Sequence, residues 1–332
     1  MRVESTAYWT IAERRGELRR EELPEPARDE VRVRALASGI SRGTELLVHR
    51  HAVPEAVRTR MRCPFQVGDL PGPVKYGYLS VGRVEAGPPH LLGARVFCLH
   101  PHQDRYVVPV SSVTVVPDEV PSQRAVLAGT VETAVNALWD GPPRIGDRVA
   151  VVGGGMVGLS VAALLRRFPL GRLQLVDVDP SRTEVAERLG VPLVLPVEAE
   201  GGCDLVFHAS ATEQGLGTAL RLLGDEGELL ELSWYGEAEP RVPLGVDFHA
   251  RRLTIRASQV GRVSPDRAPR RSTSDRLAIA LDLLRDPAFD ALLAAPVAFA
   301  DLPQVLSELD AGRGTALCQV VTYPTEGDTC TS

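Results

Sequence analysis

Val149-Ala150-Val151-Val152-Gly153-Gly154-Gly155-Met156-Val157-Gly158 is the stretch that decides the fold. A β-branched run enters three consecutive glycines, and an apolar segment, Met156 to Phe168, follows. The first part reads as a strand buried on both faces and the last as a helix. The glycine spacing is G-x-G-x-x-G, a weak pattern alone because glycine is common. Its context sharpens it: a strand before, a helix after, and a second strand, Leu173 to Val176, that ends in Asp177. The physical roles are separable. Gly153 permits the tight turn, Gly155 lets a ligand approach the backbone, and Gly158 lets helix and strand pack closely. The free N–H groups of Met156 and Val157 open the helix with a partial positive charge suited to a pyrophosphate. Asp177 would accept hydrogen bonds from ribose hydroxyls and repel a 2′-phosphate, so the motif predicts NAD over NADP. Arg182, near the expected ribose, is the residue that would favour NADP.

Outward from this motif, strands and helices alternate. Strands are predicted at Arg148–Val152, Leu173–Val176, Asp204–His208, Leu229–Ser233 and Leu253–Ser258, with helices at Met156–Phe168, Pro180–Leu189 and Glu213–Leu223. A helix over Pro121–Trp139 precedes them and one over Ser274–Arg285 follows. Such alternation predicts an α/β fold with a doubly wound parallel sheet of Rossmann type. His208 and Ser210 end the strand that starts at Asp204 and Ser233 the one that starts at Leu229, at the sheet edge where such folds present their ligand. They join the expected cofactor residues, with Trp234 and Tyr235 as possible neighbours of the nicotinamide. Residues 1 to about 120 carry short alternating runs punctuated by glycine, proline and aspartate, and read as a barrel-like β domain. The segment Ala316 to Tyr323 reads as a strand that returns to that first domain. The expected division is 121–262 for the dinucleotide domain and 1–120 with 263–332 for the β-rich one.

The 332 residues are 44% hydrophobic and 24% charged, with a net charge of -6. That balance fits a soluble globular chain and points away from nucleic acid or an anionic membrane as partner. The first twenty residues are too charged for a signal peptide. The five cysteines include no CxxC pair and read as reduced thiols of a cytoplasmic protein. Cys330 falls in a polar tail, Thr325 to Ser332, expected to be mobile.

Beyond the glycine motif, Gly39–Glu45, Val74–Tyr78 and Glu132–Ala134 carry a resemblance to the medium-chain dehydrogenase/reductase superfamily, along nearly the whole chain. Phe65–Asp69, His100–Arg105, Glu231–Gly236 and Ser258–Gly261 resemble a narrower subgroup. It holds the bacteriochlorophyllide a dehydrogenases and many relatives labelled zinc-type alcohol dehydrogenases. The resemblance implies a GroES-like first domain, hydride transfer between an alcohol and a nicotinamide cofactor, and a homodimer. It also implies where a catalytic zinc would be held, and there this sequence departs from the pattern. The first ligand position is Ser41 or Arg42, the second is Tyr78 in Gly77-Tyr78-Leu79, and the third is Gly129. None is a zinc ligand of the usual kind. The four-cysteine structural lobe is missing too. Cys98, His100 and His102 would share one face of a strand, giving three ligands without a fourth.

Without zinc, a side chain must handle the hydroxyl proton. Tyr78 leads, with Lys75 placed to lower its phenol pKa. Ser41, His100 and Glu132 are the other candidates at positions implied by the family. The expected function is a zinc-independent, NAD-dependent dehydrogenase interconverting a secondary alcohol and a ketone. The alternatives are an NADPH-dependent enone or quinone reductase, and a non-catalytic NAD-binding sensor or scaffold.

Overall fold

The computed structural model describes residues 3–314 and 317–324. The start of the expected closing strand at Ala316, and the polar tail with Cys330, lie outside the described residues. The chain forms two compact units, Met1–Gly129 with Leu293–Ser332, and Thr130–Leu292. Among the described residues no helix is long and apolar enough to cross a membrane.

The first unit is β-rich. Its organising strand, Glu30–Ile40, buries Val31, Val33, Ala35 and Ala37 at alternate positions, as a period of two requires. Antiparallel partners Ser80–Ala86, Arg105–Pro109 and Gln319–Thr322 pair with it. Arg34, on the opposite face, meets Glu85 at 3.0 Å. A smaller sheet joins Val3–Ala12 to Arg15–Leu23 and to Val74–Lys75. Two apolar clusters fill the unit, one around Val33, Val96 and Tyr106, the other around Ile40, Leu306 and Tyr323. Two helices here, Arg42–His49 and Leu302–Asp310, carry no prediction from the sequence. The first is hard to see because it buries Glu45 and His49 beside Leu46 and Val48, which spoils its apolar stripe.

The second unit is a six-stranded parallel sheet. Its order is Leu193–Val194, Arg172–Val176, Arg148–Val152, Cys203–His208, Leu223–Glu231, Thr254–Ala257. Chain order reverses direction between Arg148–Val152 and Cys203–His208, the switch point at which doubly wound sheets bind ligands. Helix Met156–Leu165 buries every residue from Gly158 to Leu165, which explains why the sequence runs apolar from Val149 through Leu165. Buried Ala150, Val152, Val206, Leu220 and Leu229 form the core of this sheet and its helices.

Several boundaries move. Pro121–Trp139 is two helices, Ser122–Ala125 and Ala128–Asp140, with Pro121 capping the first. The fifth strand begins earlier, at Leu223, and ends at Glu231, which leaves Ser233 in the following loop. The units divide at Gly129 and Leu292 where the sequence suggests 120 and 262. The reason is Arg276 on helix Thr273–Leu283. It is 1% exposed and binds Glu132 of helix Ala128–Asp140 at 3.0 Å, so both helices belong to one core.

Candidate functional site

In the second unit the glycine turn has a specific geometry. Gly153 has φ of 110°, a conformation that side-chain-bearing residues rarely adopt. A Cβ on Gly158 would stand 1.8 Å from the Gly153 carbonyl oxygen, so only glycine permits this helix-to-turn contact. A Cβ on Gly155 would meet nothing within 4 Å, so the turn is open on that side. Gly155 caps helix Met156–Leu165 without a side-chain hydrogen bond, leaving its first N–H groups for a ligand. Asp177, at the end of the neighbouring strand, accepts the Gly154 N–H on one oxygen and the Asp179 N–H, at 2.8 Å, on the other. The carboxylate is therefore fixed at the lip of the turn. Arg182 lies 3.4 Å from Asp179 and forms an ion pair with it.

Across the switch point, the residues expected beside a cofactor form one hydrogen-bonded cluster. His208 is completely buried. Its Nδ1–H donates to Glu231 at 2.8 Å, and its Nε2 accepts the Ser210 hydroxyl at 2.6 Å. Glu231 also accepts the Ser233 N–H at 2.8 Å and the Tyr235 hydroxyl at 3.2 Å. Burial pushes the Glu231 carboxyl upward, but the hydrogen bond from His208, with those from Ser233, outweighs it and holds the group below its usual range. Ser233 Oγ accepts the Ala211 N–H at 3.1 Å and so ties the two loops together. Glu231 itself is missing from the sequence-level candidates. Its position one strand over from His208, in register with it, is the signal that could have revealed it.

In the first unit, Tyr78 and Ser41 meet: the phenol donates to Ser41 Oγ at 2.6 Å. Ser41 caps helix Arg42–His49, and its N–H donates to Glu45 at 2.7 Å. The other Glu45 oxygen accepts His102 Nε2–H at 2.9 Å, and His102 Nδ1 accepts the Ser38 hydroxyl at 2.7 Å. Lys75 does not act on Tyr78. It donates to Glu21 at 2.7 Å and Gln103 at 2.9 Å, because it lies in the smaller sheet beside Arg15–Leu23. Burial, reinforced by the charge of Glu45, raises the Tyr78 phenol well above its ordinary value, the reverse of the expected lowering.

His100 is likewise placed otherwise than a strand would place it. The strand ends at Cys98, and the ring stacks on Tyr106, with centroids 3.8 Å apart, and on Phe65 at 5.5 Å. Burial lowers its pKa to about 3. Its Nδ1–H donates to the Pro101 carbonyl at 2.9 Å, whereas the His102 ring is held by Glu45 and Ser38. The rings therefore serve separate networks. Among the described residues no group of three or more His, Cys, Asp or Glu could hold a metal ion. Of the ligand positions implied by the family, Ser41, one of the two residues for the first, pairs with Tyr78 at the second, and the third, Gly129, has no side chain. Cys63, Cys98, Cys203 and Cys318 are free and buried.

Glu132, in the second unit, is buried against Arg276. Burial raises its carboxyl and Arg276 opposes the rise. Arg276 further donates to Asn136 and to the Arg262 carbonyl, the latter at 3.1 Å. Its geometry is that of a core ion pair.

No family model matches the sequence. An L-threonine 3-dehydrogenase of Rhizobium rhizogenes is 26% identical over 117 residues, a stretch covering 35% of this chain and 33% of that protein. The chain thus matches about a third of the length of that curated relative. Similarity of structure extends further. L-idonate 5-dehydrogenase from Escherichia coli K-12 superposes with a TM-score of 0.81 at 15% identity, over 97% of this chain and 99% of the other. A dehydrogenase from Sinorhizobium meliloti 1021 bound to NADP gives a TM-score of 0.78 at 18% identity, over 96% and 99%. The protein therefore has the α/β fold of the alcohol dehydrogenases: a parallel Rossmann sheet and a separate β-rich unit.

Proposed function

We propose that the protein is a nicotinamide-dependent oxidoreductase that interconverts a secondary alcohol and a ketone with NAD(H), without a catalytic zinc. The observation that carries this reading is the glycine turn with Asp177 fixed at its lip. Gly153, Gly155 and Gly158 would seat the pyrophosphate, with the N–H groups of Met156 and Val157 facing it. Asp177 would hold the adenosine ribose and disfavour a 2′-phosphate, which argues against an NADPH-dependent enone or quinone reductase. His208, Ser210 and Ser233 would line the other half of the cofactor. When bound, the nicotinamide supplies a hydride acceptor or donor.

The zinc-free reading rests on donor chemistry. Zinc takes thiolate, imidazole or carboxylate ligands. A serine hydroxyl already hydrogen-bonded to a phenol, and a glycine, do not fit that set. No step is therefore routed through a metal. Tyr78 is held neutral and gives its one hydroxyl hydrogen to Ser41, so it would act by orienting the Ser41 hydroxyl. Ser41 accepts from Tyr78, and its own hydroxyl hydrogen has no acceptor among the described residues, which suits it to a ligand oxygen. His100, Lys75 and Glu132 then act by holding structure. The motifs Glu231–Gly236 and Ser258–Gly261 support placement near the bacteriochlorophyllide a dehydrogenase subgroup, and a cytoplasmic homodimer is the accompanying proposal.

Fluorescence titration with NADH and NADPH tests the cofactor, and tighter binding of NADPH would sink the NAD assignment. Screening secondary alcohols for NAD reduction tests the reaction. One zinc per chain in purified, active protein would overturn the metal-free reading.

A further inference from the structure

We propose that Gly154, a position the G-x-G-x-x-G spacing leaves open, is a specificity-determining residue. Its missing side chain lets Asp177 dock on the turn, which presets that carboxylate for a ribose with both hydroxyls free. The proposal rests on the NAD reading above and concerns the second unit alone.

Register brings the two residues together. Val152 and Val176 are paired neighbours in the parallel sheet, so the glycine turn and Asp177 leave it side by side. The Gly153 N–H donates to the Val176 carbonyl at 2.9 Å, and the Asp177 N–H to the Val194 carbonyl at 3.3 Å, which holds both backbones. Gly154 is buried beneath this lip, whereas Gly155 is exposed.

Sterics give the reason for glycine. Gly153 needs it for its own backbone, with φ of 110°, but Gly154 is not among the residues of positive φ. Alanine can adopt the Gly154 backbone, so the constraint comes from a neighbour. A Cβ on Gly154 would stand 3.1 Å from Asp177 Oδ2, 3.3 Å from its Cγ and 3.4 Å from its Cβ. A methyl group there meets the side chain along its length, so turning the carboxylate about the Cβ–Cγ bond does not clear it. The carboxylate would have to lean away by a few tenths of an ångström. Leaning away strains the bond from the Gly154 N–H to Oδ2 or the one from the Asp179 N–H to Oδ1.

The acceptor count gives the consequence. An ionised carboxylate offers about four lone-pair positions. The two backbone N–H groups take one on each oxygen and leave one on each. Two remaining acceptors match the 2′ and 3′ hydroxyls of a ribose. A 2′-phosphate replaces one of those donors with a charged acceptor and has nothing to give this carboxylate. Fixing the acceptors before the ligand arrives also lowers the ordering cost of binding.

The test uses the full chain. Fluorescence titrations with NADH and NADPH, and calorimetric titration with ADP-ribose, which lacks the nicotinamide, read the adenosine half. Gly154→Ala should weaken NADH and ADP-ribose about tenfold, and NADPH less than about threefold, as expected for loss of one ribose hydrogen bond. Gly155→Ala, which meets no part of Asp177, should weaken both cofactors alike. In an Asp177→Ala background, Gly154→Ala should move the NADH-to-NADPH ratio by less than about twofold, because the two residues act as one unit. A second readout needs no cofactor and no variant at Gly154. The Gly154 amide proton, followed by NMR in the ligand-free protein, should exchange about tenfold or more faster in Asp177→Ala than in the wild type. Equal exchange, equal losses of both cofactors with Gly154→Ala, or an unchanged ratio shift in the Asp177→Ala background would each overturn the proposal. Tighter wild-type binding of NADPH would sink the NAD reading alone if Gly154→Ala still moved the ratio further toward NADPH, and both if it did not. Failure to bind either cofactor would also sink both.

Discussion

Ser41 and Tyr78, 37 residues apart in sequence, meet hydroxyl to hydroxyl at 2.6 Å. The contact joins the start of one helix to the loop after Val74–Lys75, and the helix holds Glu45, which binds the Ser41 N–H. A neutral phenol that donates to a serine cannot remove a proton, but it can orient that serine's hydroxyl toward an oxygen. Tyr78→Phe keeps the edge contact with Tyr76, whose ring centroid is 6.1 Å away, and deletes only the donor. It should lower kcat/KM for alcohol oxidation about 100-fold with little change in melting temperature. Wild-type turnover by that variant would remove Tyr78 from the reaction.

Asp177→Asn keeps an acceptor for the Gly154 N–H and removes the charge. Relief of repulsion should move the NADH-to-NADPH affinity ratio toward NADPH by about tenfold, or about 1.4 kcal/mol. Paired fluorescence titrations of the two cofactors measure it directly.

Glu132 and Arg276 are both buried, and replacing one strands the other's charge. Glu132→Leu should cost about 3–5 kcal/mol in urea unfolding, and the Glu132→Leu, Arg276→Leu double variant should recover part of that loss. A fully stable Glu132→Leu protein would show that the pair holds nothing together.

His100 shapes the response to acid. Its folded-state pKa is lowered from 6.5 to about 3 by burial. As pH falls below the unfolded value, the unfolded chain takes up a proton that the folded ring refuses. Stability is therefore lost as pH falls from the unfolded value toward the folded one, at up to about 1.4 kcal/mol per pH unit from this ring. His100→Phe keeps the stack between Phe65 and Tyr106 and should flatten that slope. Melting curves of both proteins from about pH 4 to 7 compare the slopes.

The parallel sheet was legible because its signals are local. A β-branched run, three glycines and an apolar helix lie within one stretch from Val149 to Leu165, and each position has its own steric reason. The candidate site was legible only where neighbours in sequence are also neighbours in space, as in His208 and Ser210. Lys75 shows the limit. Its three-residue spacing from Tyr78 suggests a pair, yet its partner is Glu21, 54 residues away and reached through sheet pairing. His100 and His102 alternate like strand residues, but the strand stops at Cys98 and the rings diverge. Glu45 and Glu231 stand in quoted motifs but carry no expected role, because an acidic residue in an apolar run reads as a surface charge until its buried partner is known.

The buried guanidinium of Arg276 has a practical consequence for anyone dividing the gene. A fragment ending at residue 262 would leave Glu132 and Asn136 without their cation and would open the base of helix Ala128–Asp140. A fragment spanning 130–292 carries the whole clasp, and is the piece from which transplants of this nucleotide-binding half onto other scaffolds should start.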